Sequence, residues 1–327
     1  MKKRVLSGMR PTGPLHIGHL FGALNSWIPM QDKYDCFFMV ADWHALMSEY
    51  ENPLNIQENI IECAIDWFSC GIDYKKSTVF VQSHVPQHLE LAMIFSDITP
   101  LAWLERCPTY KEQLREQKTR DLATYGFLGY PVLQAADIVL YKADVVPVGE
   151  DQLAHLELTR EIVRRFKYLY KKDVFPEPEG LLTKAPRILG LDNRKMSKTF
   201  GNYIALSDTQ DTIRKKVSSM ITDPARIKRD DPGHPDICNV FSYYKILKPE
   251  ILSDLNRDCV KAVIGCTDDK KRLADIIIAF LEPIQKKRKL YTDNKKQIQK
   301  ILNEGAKKAA DTASDTIKQV RKLVGLS

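Results

Sequence analysis

The sequence of 327 residues lacks several features that mark particular classes of protein. It has no apolar run of the roughly 18 residues needed to cross a membrane, which argues against a transmembrane helix. Its beginning, MKKRVLSGMRPTG, lacks the apolar segment of a secretory signal peptide. The seven cysteines are an odd number and include no C-x-x-C pair, so they do not indicate a disulfide framework. We therefore expect a protein of the reducing cytoplasm.

The positive charge is concentrated at one end of the chain. Hydrophobic residues (44%) and charged residues (28%) occur at ordinary globular frequencies, and the length predicts two modules. The formal net charge is +7, but positions 286–327 carry +8 and leave the rest near −1. Lysines on the solvated face of a helix would explain this tail, and so would a surface that binds a nucleic acid. Its basic residues are Lys286, Lys287, Arg288, Lys289, Lys295, Lys296, Lys300, Lys307, Lys308, Lys318, Arg321 and Lys322.

Short apolar runs alternate with helical patterns through the first half of the sequence. Continuous apolar runs such as Cys36–Ala41 are typical of strands buried in a parallel sheet. Amphipathic patterns lie between them, one with Asn52 as its cap and Pro53 at its first position. The alternation predicts an α/β fold with a doubly wound parallel Rossmann sheet. Strands are predicted at 4–7, 36–41, 78–82 and 145–148, and helices at 17–31, 53–70, 86–95 and 152–168.

The composition changes after about Lys172. Pro176, Pro178 and Gly180 indicate a connector, and the patterns from Asp208 onward are almost all helical. The sequence therefore predicts a smaller, all-helical second domain. We place the Rossmann domain at 1–185 and the helical domain at 186–327, with the C-terminal helix packing back on the first domain.

The first predicted strand is followed by a turn with glycines and then by two histidines. Gly8 and Gly13 permit tight turns, and Gly18 lets a ligand approach the next helix closely. His16 and His19 lie one helical turn apart at the positive end of the helix dipole, where they can stabilise phosphate charge. They could also be half of a metal site, but no further ligand lies nearby in sequence. The pattern favours nucleotidyl transfer.

A second charged segment lies around position 195. Lys195 and Lys198 belong to the sequence KMSKT, and Gly190 and Gly201 on either side predict a mobile loop. Ammonium groups on such a loop suit a pyrophosphate leaving group, which gains charge as its bond breaks. Alone, the segment could be a solvated turn, but together with the histidine motif it is far more specific.

These motifs together resemble the signatures of the class I aminoacyl-tRNA synthetases. The HIGH signature corresponds to His16–His19, and the KMSKS signature to Lys195–Thr199, with threonine in place of the last serine. Within that class, the run Val148–Gln152 followed by His155 is similar to the tryptophanyl-tRNA synthetases, and the likeness covers essentially the whole chain. Many members of that group lack both histidines of the first motif, so the full motif marks a subset.

The resemblance implies a nucleotide site at the switch point of the sheet. Gly149 would allow backbone contact, Asp151 would accept from ribose hydroxyls, and Ile188 with Met196 would flank the adenine. An ordinary strand-to-helix cap at 149–152 is the simpler alternative. The implied catalytic residues are His16, His19, Lys195 and Lys198. The implied ATP-binding residues are Arg10, Pro11, Thr12, Gly18, His19, Gly149, Glu150, Asp151, Ile188, Lys195, Met196, Ser197, Lys198 and Thr199.

The amino-acid pocket is expected around a lone carboxylate. Asp137 lies among apolar residues in YPVLQAADIVLY, where an unpaired charge would be expensive. The N–H of indole would relieve that cost, but so would the hydroxyl of tyrosine; the run GED favours tryptophan. His44 is equally well explained as a core histidine. The implied tryptophan-binding residues are Asp137, Tyr130, Gln152, His44, Leu6 and Val148, with Tyr130 and Gln152 holding the ammonium group.

Three cysteines in the second module raise the question of an iron–sulfur cluster, which some members of this subset carry on four cysteines. Cys238, Cys259 and Cys266 match three of the positions, but Asp269 stands at the fourth. A site made of four cysteines cannot form from this run, although an unusual fourth ligand would still permit a cluster. We predict that none is bound.

The resemblance implies an ATP-dependent ligase that forms tryptophanyl-adenylate and then charges tRNA(Trp). ATP would act with Mg²⁺, no protein-bound metal is expected, and the enzyme would be a homodimer without membrane contact. A tyrosyl-tRNA synthetase remains the rival within the class. A small-molecule nucleotidyltransferase and an inactive paralogue that binds tRNA or senses tryptophan are the rivals outside it.

Overall fold

Five parallel strands form the central sheet of the protein. The computed structural model describes residues 2–108, 110–111, 121–182, 188–198 and 200–326. The strand order is β3-β2-β1-β4-β5. Successive strands of the chain are added outward on one side of β1 up to β3, and then on its other side from β4. The predicted doubly wound α/β fold is confirmed, and its switch point lies between β1 and β4. The strands are β1 (Arg4–Met9), β2 (Asp35–Val40), β3 (Thr78–Val81), β4 (Val145–Val148) and β5 (Glu179–Leu182).

Helices connect the strands and make up most of the second half. The first of them, α1, runs from Ile17–His19 through a π-helical turn at Leu20–Leu24 into Asn25–Lys33. The next are α2 (Asp42–Glu49), α3 (Ile56–Cys70), α4 (Gln87–Ile98), α5 (Leu101–Glu105), α6 (Tyr125–Leu140) and α7 (Leu153–Tyr170). Then follow α8 (Gln210–Ser218), α9 (Asn239–Leu247), α10 (Leu252–Val260), α11 (Cys266–Thr292) and α12 (Lys295–Val324). None of the helices in the described ranges is long and apolar enough to cross a membrane.

The two faces of the sheet pack into two hydrophobic cores. Successive side chains of a strand point to opposite faces, so Val5 and Phe38 enter one core while Leu6 and Phe37 enter the other. The first core continues into the helical region, where it includes Tyr243 of α9 and several residues of α11. This shared core fixes the position of the helical region against the sheet.

The C-terminal helix α12 crosses the edge of the sheet at β3. Its first half contributes Ile298 and Leu302 to one core, and its second half contributes Ala309 and Ile317 to the other. Gly305 lies at the crossing, where a Cβ atom would overlap the backbone of Val79. The helix therefore belongs to both faces of the Rossmann region.

Two local features differ from the sequence prediction. The connector around Gly180 contains a strand, β5, which pairs in parallel with β4. Its burial is too slight to leave an apolar pattern, because Leu181 and Leu182 are both exposed. Asn52 and Pro53 stand at the expected cap and first position, but Pro53 begins a 3-10 turn that leads into α3, and the Asn52 side chain makes no capping hydrogen bond.

Candidate active site at the switch point

A cavity of about 340 Å³ opens at the carboxyl ends of β1, β2 and β4. Ligands of open α/β sheets bind at such a switch point, and the volume falls within the roughly 300–1,000 Å³ of small-molecule sites. The cavity gathers side chains from both sheet halves and from α2 and α6. All six residues of the expected tryptophan pocket line it: Leu6, His44, Tyr130, Asp137, Val148 and Gln152.

The carboxylate of Asp137 in this cavity is only 2% exposed. Three neighbouring side chains already bind it, so the expectation of an unpaired charge is wrong. Its Oδ1 accepts from His88 Nδ1 at 2.7 Å and Gln82 Nε2 at 2.8 Å, and its Oδ2 accepts from His44 Nε2 at 2.7 Å. The other ring nitrogen of His88, Nε2, lies 2.7 Å from the Tyr141 hydroxyl.

These partners keep Asp137 ionised. Burial alone would raise its pKa, but the charge and hydrogen bonds of His88 and His44 outweigh burial and lower the pKa to about 2. A carboxylate offers about four acceptor positions, and three are used here. One acceptor position therefore remains on a group that lines the cavity.

Sequence reasoning did not identify the groups that hold Asp137 or several walls of the cavity. His88, Gln82 and Tyr141 carry no motif, and the first two lie 49 and 55 residues from Asp137. They come together because α4 and the turn after β3 pack against α6. His44, expected equally as a core histidine, both lines the cavity and binds Asp137. The further wall residues include Met39, Met47, Phe127, Gln134 and His155.

The two residues expected to hold an ammonium group already have polar partners. The Tyr130 hydroxyl lies 2.6 Å from His155 Nε2, and Gln152 Nε2 donates to Asp151 Oδ2 at 3.2 Å. Burial lowers the pKa of His155 to about 4, so this ring is neutral at physiological pH. Tyr130 and Gln152 stand at the cavity as expected, and their role in binding an ammonium group stays a prediction.

The two histidines of the first motif pack against each other at the start of α1. The His16 backbone N–H donates to His19 Nδ1 at 3.2 Å, which places the proton of the His19 ring on Nε2. Burial lowers the pKa of His19 well below its usual value, and burial together with Lys198 lowers that of His16 to about 3. Both rings are therefore neutral hydrogen-bond donors. Nδ1 of His16 is buried and has no partner among the residues that the structure describes.

The second motif lies against the first, although about 180 residues separate them. The Lys198 ammonium donates to the carbonyl oxygen of Gly13 at 2.9 Å. Met196 is buried beside Gly18, where a Cβ would lie 2.9 Å from the His16 ring and 3.2 Å from the Met196 sulfur. Gly18 is thus needed for packing between the motifs, a reason that the sequence did not give. Thr199 lies outside the described residues.

The lysine loop is held by a residue that sequence reasoning missed. Asn202, which is buried, accepts from the Ser197 backbone N–H at 2.9 Å and donates to Asp192 Oδ1 at 2.7 Å and to the Lys195 carbonyl at 3.2 Å. The Lys195 side chain is exposed. The loop predicted to be mobile is therefore tied at its base, while one of its lysines faces solvent. In the sequence, the glycine at position 201 was the only sign of this turn. In the structure its φ is +63°.

The other expected nucleotide residues surround the switch point. Arg10, Pro11 and Thr12 follow β1, and the Thr12 N–H donates to the Arg10 carbonyl at 2.9 Å. Gly149, Glu150 and Asp151 follow the neighbouring strand β4, where Glu150 begins a short 3-10 turn. Ile188 is buried in the same core as Met196. Their contacts with a nucleotide stay predictions.

Asp269, at the position of the missing cysteine, has another partner. Its carboxylate accepts from the Tyr244 hydroxyl at 2.8 Å. In the part of the chain that the structure describes, no group of three His, Cys, Asp or Glu side chains is arranged to hold a metal ion. The absence of an iron–sulfur cluster stays a prediction from the sequence.

Comparisons with known proteins agree on one family. The family model described as class I tRNA synthetases for tryptophan and tyrosine matches residues 1–282. The tryptophan–tRNA ligase of Thermotoga maritima is 47% identical over 99% of both chains. That of Aquifex aeolicus is 40% identical over 99% of this chain and 100% of its own.

A solved structure shares the whole fold. The crystal structure of tryptophanyl-tRNA synthetase from Campylobacter jejuni, complexed with ADP and tryptophan, superposes with a TM-score of 0.89 at 32% identity. The superposition covers 99% of this chain and 100% of the Campylobacter jejuni chain. The likeness therefore extends through the sheet, the motif loops and the helical region.

Proposed function

This chain belongs to the class I tRNA synthetases for tryptophan and tyrosine, and we infer that it joins tryptophan to tRNA(Trp) at the expense of ATP. The tryptophan carboxylate attacks the α-phosphate of ATP, a phosphoanhydride bond breaks, and pyrophosphate leaves tryptophanyl-adenylate behind. A ribose hydroxyl at the end of the tRNA then attacks the acyl carbon, and AMP leaves. The reaction needs no covalent bond to the enzyme.

Adenylate formation would depend on position and charge rather than on a nucleophilic side chain. His19 can donate through Nε2 to a phosphate oxygen, because its Nδ1 is already an acceptor. Lys198 is held beside the histidine segment, and the exposed Lys195 can approach the leaving group. Mg²⁺ would enter bound to ATP and neutralise its phosphates.

Tryptophan recognition rests on one observation: the ionised Asp137 lines the cavity with one acceptor position to spare. Indole is a donor only, so its N–H matches that position. A phenylalanine ring would leave the remaining acceptor position of this buried carboxylate without a donor. Such sites reject a mismatch of this kind by as much as ~10⁴–10⁵-fold. Leu6 and Val148 supply apolar walls for the ring.

The helical domain at 186–327 would bind tRNA, and the Rossmann domain at 1–185 would hold ATP and tryptophan. Only part of the positive charge of the C-terminal tail is available to a nucleic acid, because some of it is paired within the chain. Arg288 pairs with Asp66, and Arg321 pairs with Glu90. Three exposed lysines of α11 can contact the phosphate backbone: Lys286, Lys287 and Lys289. Lys286 also pairs with Glu282 of the same helix, at 2.8 Å.

A homodimer is supported by an apolar surface on α4, α5 and the start of α6. Met93 is 61%, Leu101 62% and Tyr125 77% exposed around a groove of about 220 Å³. Clustered exposed apolar side chains mark protein interfaces. The occupant we propose is the same surface of a second copy, which would couple α6, the helix that carries Asp137, to its counterpart. The seven free cysteines fit a cytoplasmic enzyme.

The decisive test is the exchange of labelled pyrophosphate into ATP with tryptophan, tyrosine or no amino acid. Exchange with tryptophan alone, followed by charging of tRNA(Trp), is expected. Exchange with tyrosine alone would make the enzyme a tyrosyl-tRNA synthetase. Exchange with neither amino acid would refute the proposed activity.

A further inference from the structure

A buried carboxylate links the helical domain to the first motif. Asp66 of α3 is 1% exposed, and its Oδ2 accepts from the backbone N–H of Leu15 at 3.3 Å. Leu15 is itself buried and directly precedes His16. Without this acceptor the Leu15 N–H would be a buried donor without a partner, which is energetically costly.

The other oxygen of that carboxylate is bound from the second domain. Arg288 of α11 donates from Nε to Asp66 Oδ1 at 2.8 Å and from a second nitrogen to Glu62, one helical turn before Asp66. Lys295 also pairs with Glu62, at 3.0 Å. A guanidinium group is well suited to bridge two carboxylates because its donors are fixed in one plane. The helical domain thus pairs the charge of the carboxylate that accepts from Leu15.

The same helix face holds the opposite edge of the motif segment. Gln285, three residues before Arg288 on α11, donates from Nε2 to the carbonyl oxygens of Leu206 and Asp208 at 3.0 and 2.9 Å. Leu206 in turn donates its N–H to the Leu15 carbonyl at 2.9 Å. One face of α11 is therefore linked to both polar groups of the Leu15 backbone: to its N–H through Asp66 and to its carbonyl through Leu206.

The segment next to the histidines has little freedom under these contacts. The Ile17 N–H donates to the Ile204 carbonyl at 3.0 Å, and His16 forms a β-bridge with Ala205. The stretch 204–206 comes directly from the lysine loop and runs toward α8. Both motifs and the helical domain thus meet in one hydrogen-bonded unit.

We propose that Arg288 and Gln285 are positioning residues for adenylate formation: through Asp66 and Leu206 they fix the backbone that carries His16 and His19. Neither residue lines the tryptophan cavity, so their loss affects the chemical step and spares tryptophan binding. The position of α11 against α3 and the segment 204–208 then determines how well the first motif is aligned. This inference rests on the proposed function, because it assigns a role within that reaction.

The test compares variants in pyrophosphate exchange and in tryptophan binding, the latter measured by calorimetry. Gln285→Leu removes two hydrogen bonds and buries no charge, and it should lower kcat of exchange about 10- to 100-fold while tryptophan Kd stays within about twofold. Arg288→Gln should do the same. The double variant Asp66→Asn/Arg288→Gln should regain most of the lost kcat, because an amide oxygen still accepts from Leu15 and no buried charge is left.

The matched control is Arg321→Gln, which removes another ion pair between the same two regions. Arg321 binds Glu90 through two nitrogens, and that contact does not reach either motif. Its exchange rate should equal that of the unaltered enzyme. An equal kcat in Gln285→Leu and Arg321→Gln would overturn the proposal, and so would a parallel loss of kcat and tryptophan affinity. Failure of the unaltered enzyme to exchange would instead refute the proposed function.

Discussion

The imidazole rings of His16 and His19 lie with their centroids 3.7 Å apart. Two protonated rings at that distance would repel each other strongly, and burial keeps both of them neutral. The pair therefore carries no net charge of its own, and in the proposed mechanism it would act on phosphate through N–H donors. Positive charge at the proposed site would come instead from Lys198, Lys195 and Arg10, which lines the cavity.

Replacement of His19 should separate chemistry from binding. His19→Ala removes the Nε2 donor that we assign to a phosphate oxygen, and the loss of one such donor typically lowers a rate by ~10²–10³-fold. Exchange of pyrophosphate should fall by that amount. Tryptophan affinity, measured by calorimetry without ATP, should be nearly unchanged. A large loss of tryptophan binding would remove His19 from the phosphate site.

The buried His16 should make folding sensitive to acid. Its pKa in the folded protein, about 3, lies below the ordinary value of 6.5, so the unfolded chain binds a proton that the folded chain refuses. Stability should therefore fall as the pH decreases from 6.5 toward 3. His16→Gln should reduce that slope by up to about 1.4 kcal/mol per pH unit. Urea unfolding between pH 6.5 and 5 measures it, and an unchanged slope would contradict a buried neutral ring.

Substitution of the buried carboxylate should weaken tryptophan binding. Asp137→Asn keeps the shape but removes the charge, and hydrogen bonds to charged groups contribute about 1.5–3 kcal/mol. We expect tryptophan Kd to rise roughly 10- to 100-fold. Asp269→Asn, at another buried aspartate outside the cavity, is the control and should leave the Kd unchanged. Equal Kd values for the two variants would exclude Asp137 from the pocket.

The exposed lysines of α11 should matter for tRNA and not for ATP. Arg288 is unsuitable for a charge-reversal test of this surface, because it pairs with the buried Asp66. The triple change of Lys286, Lys287 and Lys289 to Glu avoids it. Aminoacylation kcat/KM for tRNA should fall and its salt dependence should flatten, with pyrophosphate exchange intact. Equal losses in both assays would make these lysines an ordinary solvated face.

The apolar surface on α4 and α5 should control the oligomeric state. Met93→Lys places a charge in the proposed contact between copies and should shift the protein toward monomers in analytical ultracentrifugation. Ile227→Lys changes an apolar residue elsewhere that is even more exposed, at 87% against 61% for Met93, and should have no such effect. A monomeric unaltered protein, or a dimer indifferent to Met93→Lys, would exclude this surface as the interface.

The sequence reveals features that depend on local patterns. The buried runs predicted β1 to β4 to within a few residues, because each strand is apolar on both faces. Strand β5 escaped because Leu181 and Leu182 are exposed at an edge. The six residues expected to form the tryptophan pocket all line the cavity at the switch point, and their contacts with tryptophan stay predictions. The partners of Asp137 were missed, since His88 and Gln82 reach it only after distant elements have packed together.

The position of α12 has a consequence for how the protein is made. The helix that crosses β3 at Gly305 and contributes to both cores leaves the ribosome well after the sheet strands. The nascent Rossmann region therefore exposes apolar surface on both sides of its β3 edge until α12 has been synthesised. Partly synthesised chains should be targets for chaperones, and a transcript truncated before about residue 300 should yield an inactive, aggregation-prone product.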